Sequence, residues 1–201
     1  MEKFISDKTD RFITLGSGVV RAPGIHMTNM IRRTIIKMGT AKTAEGWDMD
    51  IASEVGFLWE DIWSRVFADR LVVRLKEQSL DGIMCSPDGV EPDPGWEDDD
   101  GNWVAEPNPR KIILREYKCT WRSSRRDPSE DFYWMSQLKG YCRVMDTDTA
   151  IMSILYLVGD YRGSGPIYRE ARFTFDQMEI DQNWENIKRE AAQYMEELNG
   201  K

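Results

Sequence analysis

A single histidine, His26, and three scattered cysteines, Cys85, Cys119 and Cys142, remove several kinds of chemistry at once. One imidazole cannot build a histidine-based triad or a multi-histidine metal site. Three cysteines are too few and too dispersed for a zinc ribbon, and their odd number argues against a closed disulfide framework; they read as small buried hydrophobes. His26 reads as a packing or capping residue. No stretch approaches the roughly 18 uninterrupted apolar residues of a membrane span, and residues 1–10 lack the apolar run of a signal peptide. The expectation is a cytoplasmic protein with no membrane partner. Net positive charge is also missing: 27 lysines and arginines against 35 acids give −8, which argues against a nucleic-acid partner if the charge is evenly spread.

It is not evenly spread. Glu91, Asp93, Glu97, Asp98, Asp99, Asp100 and Glu106 crowd one stretch that also holds Pro92, Pro94, Gly95 and Gly101, so residues 91–106 read as an exposed acidic insert, a solvated hairpin or loop. Basic residues gather elsewhere, at Arg115, Lys118, Arg122, Arg125 and Arg126, with Arg32 and Arg33 upstream. A phosphate backbone would lie there. With 201 residues, 41% of them hydrophobic, and eight tryptophans, the chain suits a single domain over 1–201 with one sizeable core. Residues 1–49 read as an N-terminal extension broken by glycines. No internal repeat is visible.

Apolar spacing sets the element order. A short helix is predicted near Thr28 to Met38. A longer amphipathic one follows, carrying Ile51, Val55, Leu58, Trp59, Ile62, Val66 and Phe67. Strands are expected around Gly82 to Ser86, Lys111 to Lys118, Ala150 to Val158 and Ile167 to Phe175. A helix from about Ser129 to Val144 separates the second and third of these. A final helix over 177–198 shows Ile180, Trp184, Ile187, Ala191, Tyr194 and Leu198 as one stripe. The order predicts an α/β fold with a restriction-endonuclease-like core, a central mixed β-sheet flanked by helices.

The chemistry concentrates at two places. Ser86-Pro87-Asp88-Gly89 ends one strand, and Ile112-Ile113-Leu114-Arg115-Glu116-Tyr117-Lys118 forms another. In an extended strand alternate side chains share a face, so Glu116 and Lys118 point one way and Arg115 and Tyr117 the other. Charges beside a run as apolar as Ile112 to Leu114 need a reason to be there. Carboxylates at Asp88 and Glu116 suit a hard, oxygen-loving divalent cation. A neighbouring lysine can orient an attacking water or neutralise developing charge. That combination suits phosphodiester hydrolysis. Asp81 could add a carboxylate, but Asp81-Gly82 reads better as a turn.

These motifs resemble the PD-(D/E)XK nuclease superfamily, and specifically its lambda exonuclease/YqaJ-like (RecB-like) branch. Ser86-Pro87-Asp88-Gly89 looks like the branch's turn, and Glu116-Tyr117-Lys118-Cys119 like its E-x-K-C strand. Gly56-Phe57-Leu58-Trp59-Glu60 is similar to its first helix motif, and Gln137-Leu138-Lys139-Gly140-Tyr141 to its Q-x-x-x-Y helix. The resemblance spans roughly residues 20 to 160. It implies a deoxyribonuclease, a 5′-3′ exonuclease of linear DNA in phage or bacterial recombination and repair, using Mg2+ or Mn2+. The implied metal ligands are Glu60, Asp88, Glu116 and the main-chain carbonyl of Tyr117, with Lys118 as catalytic lysine. Gln137 and Tyr141 would contact DNA or orient water. Arg21 would bind a terminal 5′-phosphate, with Arg32 and Arg33 as rivals. A ring-shaped trimer and a single-strand-annealing recombinase partner are implied as well. Lacking a four-cysteine set, the chain is set apart from CRISPR-associated relatives that carry an iron-sulfur cluster. A structure-specific endonuclease, or a non-catalytic DNA- or protein-binding module on the same fold, are the alternatives.

Overall fold

The computed structural model describes residues 24–39, 58–59, 62–63, 65, 73–93, 95–97, 100–105, 108–160, 162–163 and 165–200. Arg21 and Glu60 lie outside them, as does most of the helix expected over Ile51 to Phe67. Of that segment Leu58, Trp59, Ile62, Trp63 and Arg65 are helical.

The chain runs β1 (Ile25–His26), α1 (Met27–Lys37), β2 (Val73–Arg74), β3 (Gln78–Leu80), β4 (Ile83–Cys85) and β5 (Gly89–Asp93). It continues through β6 (Trp96–Glu97), β7 (Trp103–Ala105), β8 (Asn108–Thr120), α2 (Phe132–Met145), β9 (Thr149–Tyr156), β10 (Ile167–Thr174) and α3 (Gln177–Asn199). Five strands form the main sheet in the order β10-β9-β8-β5-β2. β8 and β9 are parallel, joined through α2 as a parallel pair requires, while β10 and β5 flank them antiparallel. β1, β4 and β3 make a small second sheet.

One face of the main sheet carries the core. Leu114 of β8 and Ala150, Met152, Ile154 and Tyr156 of β9 project there with the two-residue period of a strand, onto Met27, Met30, Leu138, Tyr141, Ile180, Trp184 and Ile187 of the three helices. Each such large apolar side chain contributes about 1.5–3 kcal/mol by leaving water. Gly140 lets α1 and α2 approach, since a Cβ there would lie 2.3 Å from the Met27 sulfur. The opposite face holds Tyr117, on which the buried Trp63 ring stacks at 4.7 Å. Helices are thus found on both sides of β8. No helix among the described residues is long and apolar enough to cross a membrane.

Capping fixes the helix starts. Asp131 accepts from Trp134 N at 3.0 Å, so α2 begins at Phe132, after a 3-10 turn at Pro128–Glu130, and not at Ser129. Asp176 and Glu179 form a capping box at α3. α3 is tied to α1 by a clasp in which Arg33 and Lys37 both reach the buried Glu190, at 2.8 and 2.7 Å. Burial pushes the Glu190 carboxyl up, but its bonds to Lys37 and Arg33 outweigh that and hold it below its ordinary value. A depressed carboxylate contributes stability that is complete above the unfolded pKa and lost as pH falls through the folded one. Glu190→Gln should therefore flatten the acid limb of the stability curve below about pH 4.3, measured by urea unfolding against pH. An unchanged acid limb would contradict the clasp.

The acidic segment is not wholly an excursion. Its first residues form β5 inside the main sheet, with Glu91 and Asp93 only 5% and 7% exposed. Arg115 of β8 meets Glu91 at 2.5 Å, and Arg172 of β10 meets Asp93 at 3.2 Å, so counter-charges from other strands make burial tolerable. Past them, β6 and β7 pair antiparallel.

Candidate active site

β8 passes from the core to the open end of the sheet, and its even-numbered residues carry the change from apolar to ionic: Leu114, Glu116, Lys118. Lys118 Nζ lies 2.6 Å from Glu116 Oε1 and 2.8 Å from Gln137 Oε1. Gln137 Nε2 donates to the same Glu116 oxygen and to the Tyr141 hydroxyl, both at 3.0 Å. Asp88 arrives from the β4–β5 turn, and its carboxylate accepts from Tyr117 N at 2.7 Å. The five side chains of Asp88, Glu116, Lys118, Gln137 and Tyr141 therefore converge on one end of the sheet. The register does this: Gly89 pairs with Arg115, which sets Asp88 beside Glu116 and Tyr117.

Gln137 and Tyr141 were expected to contact DNA or to orient water. They are 5% and 2% exposed, and the polar contacts above are to the acid-lysine pair and to each other. They bracket the pair from α2, spaced four residues apart on one helix face. Tyr133, one turn earlier on that face, also acts on Lys118 electrostatically, a neighbour that the same spacing could have indicated.

Electrostatics keep Lys118 cationic. Burial pulls its pKa down, but Glu116 and Asp88 outweigh this and raise it, so the ammonium stays charged at neutral pH. Tyr141 is raised well above its ordinary value, first by burial and then by Glu116, and stays a neutral phenol. Cys85 and Cys142 are buried, as the sequence suggested, their thiols pushed up to about 12 by burial and a nearby carboxylate, whereas Cys119 is only half-buried.

A divalent ion can be tested against these residues. Among the described residues no three histidine, cysteine or acidic side chains gather as a metal cluster; Glu60 is not among them. One atom nevertheless fits. Glu116 Oε2 is buried with no hydrogen-bond partner, an arrangement whose cost a cation would remove. With Asp88 beside it, the donor set is oxygen-only, as a hard divalent ion requires.

The basic cluster is less available than its sequence implies. Arg115 is 2% exposed and held by Glu91 and Glu170 on the far face of the sheet, so it is no phosphate ligand. Arg33 is engaged by Glu190 and Glu197 and lies over the Tyr194 ring at 4.9 Å. Arg32 is exposed. Arg122, Arg125 and Arg126, beyond the site's end of β8, stay about half exposed although each meets an acid, Asp131, Asp160 and Glu130 in turn. Asp81 takes a left-handed turn conformation at φ 52°, and its carboxylate accepts from Trp184 Nε1 at 2.8 Å, so it serves the turn. His26 sits at the start of α1, 3.4 Å from Glu77, and makes no side-chain cap.

No family model and no curated protein matches the chain. Among solved structures, a phage-related exonuclease from Haemophilus somnus superposes with a TM-score of 0.51 and 12% identity, over 86% of this chain and 82% of that one. An alkaline exonuclease from Laribacter hongkongensis reaches 0.49 with 10% identity over 94% of each chain, a likeness too distant to carry weight. The chain has the α/β fold of that phage-related exonuclease, a central mixed sheet flanked by helices.

Proposed function

We propose that the protein is a Mg2+- or Mn2+-dependent deoxyribonuclease, and specifically a 5′-3′ exonuclease of linear DNA. The observation that carries this reading is the buried Glu116 carboxylate, with one oxygen committed to Lys118 and the other unpartnered, at the sheet end where Asp88 also lies. Asp88 and Glu116 would hold the ion, with Glu60 and the Tyr117 carbonyl as further ligands. A bound divalent ion supplies Lewis-acid polarisation of the phosphodiester and neutralises developing charge. Lys118 has three donors; Glu116 and Gln137 take two, leaving one to aim a water or a phosphoryl oxygen. As a cation it would stabilise developing charge. Gln137 and Tyr141 hold the pair in register, so that neither partner has to reorganise when substrate arrives.

The exonuclease mode is favoured by the fold likeness, and it would require an arginine near the N-terminus, Arg21 first and Arg32 next, to grip a terminal phosphate by charge-assisted bonds. Linear duplex should be digested in Mg2+, faster with a 5′-phosphate than a 5′-hydroxyl, while covalently closed circles stay intact. Equal cutting of circles and linear duplex would leave the metal site standing and assign an endonuclease instead.

A further inference from the structure

Beyond Lys118 the same face of the sheet continues to Thr120, which pairs with Tyr156 at the end of β9. Tyr156 is 1% exposed, and its hydroxyl is buried with no hydrogen-bond partner. An unmatched buried hydroxyl costs roughly 1–3 kcal/mol, a cost that a bound acceptor would remove. The chain around it is fixed. Arg122 N donates to Thr120 Oγ1 at 3.2 Å, Ser124 N to the Gly159 carbonyl at 2.8 Å, and Leu157 N to the Thr120 carbonyl at 2.9 Å. Arg122 is held twice: Asp131, the cap of α2, takes one guanidinium nitrogen, and the guanidinium lies 5.1 Å over the Trp134 ring. Even so its side chain is 47% exposed, and a guanidinium with five donors keeps several for a further acceptor.

We propose that this turn is a second phosphate subsite, in which Arg122, supported by Arg126 and Arg169, and the Tyr156 hydroxyl hold the backbone phosphate next to the scissile one. The inference rests on the nuclease reading for the identity of its ligand. Thr120 stands two residues beyond Lys118, about 7 Å along an extended strand, a distance that one nucleotide step of backbone can span. Local charge favours an anion. Arg122 and Arg126 crowd each other, and burial together with Arg126 lowers the Arg122 pKa. Arg169 and Arg122 both act on the Tyr156 hydroxyl, against Asp127. The acids nearby have other duties: Asp127 caps the 3-10 turn through Ser129 N, Asp160 holds Arg125, and Asp131 caps α2. Glu130 meets Arg126 only at 4.0 Å on the surface, where such a pair contributes little.

The test is binding, without turnover. A short labelled DNA duplex is titrated with protein in excess chelator at several salt concentrations, followed by fluorescence anisotropy. Arg122→Gln should reduce the slope of log affinity against log salt by about one, the loss of one phosphate contact. Tyr156→Phe should weaken binding about tenfold, as expected for one hydrogen bond to a charged group. It should leave the thermal midpoint unchanged or higher, because it removes only an unmatched hydroxyl. An unchanged slope in Arg122→Gln overturns the subsite, even if the protein proves an active nuclease. Loss of affinity and stability together in Tyr156→Phe also overturns it, marking a structural role. Binding through Arg122 by a protein that never cleaves would keep the subsite and sink the nuclease reading.

Discussion

Lys118→Met should lower DNA hydrolysis at saturating Mg2+ by about 10²- to 10⁴-fold, the range of a positioned proton-handling or charge-stabilising group. Mn2+ affinity should meanwhile hold or rise. The reason lies in the geometry: Lys118 shares Glu116 with any bound ion, taking one carboxylate oxygen at 2.6 Å, so its removal frees negative charge for the metal. Glu116→Gln should do the reverse, losing metal affinity and turnover together, because the buried unpartnered oxygen becomes a neutral amide atom. Isothermal calorimetry with Mn2+ beside single-turnover kinetics separates the two. Lost metal affinity in Lys118→Met, with normal chemistry once metal is saturating, would contradict the role given to the lysine.

The largest loss of stability should come from Arg115→Met, about 3–5 kcal/mol. Arg115 lies on the far side of β8 from Lys118, with Glu91 on β5 and Glu170 on β10 as its partners. Removing the cation strands Glu91, which is 5% exposed, as a buried unpaired charge. Glu170 suffers less, since Tyr168 donates to it at 2.8 Å and Ser153 at 3.3 Å. Adding Glu91→Leu should recover much of the loss, because a buried pair replaced by apolar groups of similar volume costs little. Denaturant unfolding of the single and double variants decides this. Equal destabilisation of the two would mean that lost packing, not a stranded charge, is responsible. Activity per folded molecule should be unchanged by either variant if metal and DNA bind on the opposite face.

The acid-lysine pair was legible because it needs only local information. Two-residue alternation puts Glu116 and Lys118 on one face whatever the rest of the chain does, and four-residue spacing puts Gln137 and Tyr141 on another. Their burial was not legible, since it depends on how α2 sits over β8. β5 was hidden for a similar reason. Pro92 and the surrounding acids read locally as a solvated turn, whereas the stabilising cations come from Arg115 and Arg172 on other strands. Pro92 stands where the register of β5 against β8 shifts, between Pro92 and Asp93, an irregularity of the kind that admits proline within a sheet. Arg115 shows the hazard of counting charge by proximity in sequence. It neighbours Glu116, yet the pleat sends it to the far face and into an ion pair.

The central claim is that Asp88, Glu116 and Lys118 form a metal-dependent phosphodiesterase centre. Release of acid-soluble nucleotides from uniformly labelled linear duplex DNA, by wild type and by Asp88→Asn in Mg2+ and in excess chelator, tests it most directly. Release by the wild type in Mg2+ alone, abolished in chelator and in a folded Asp88→Asn variant, is the predicted result. Undiminished release in chelator, or by Asp88→Asn, would contradict it.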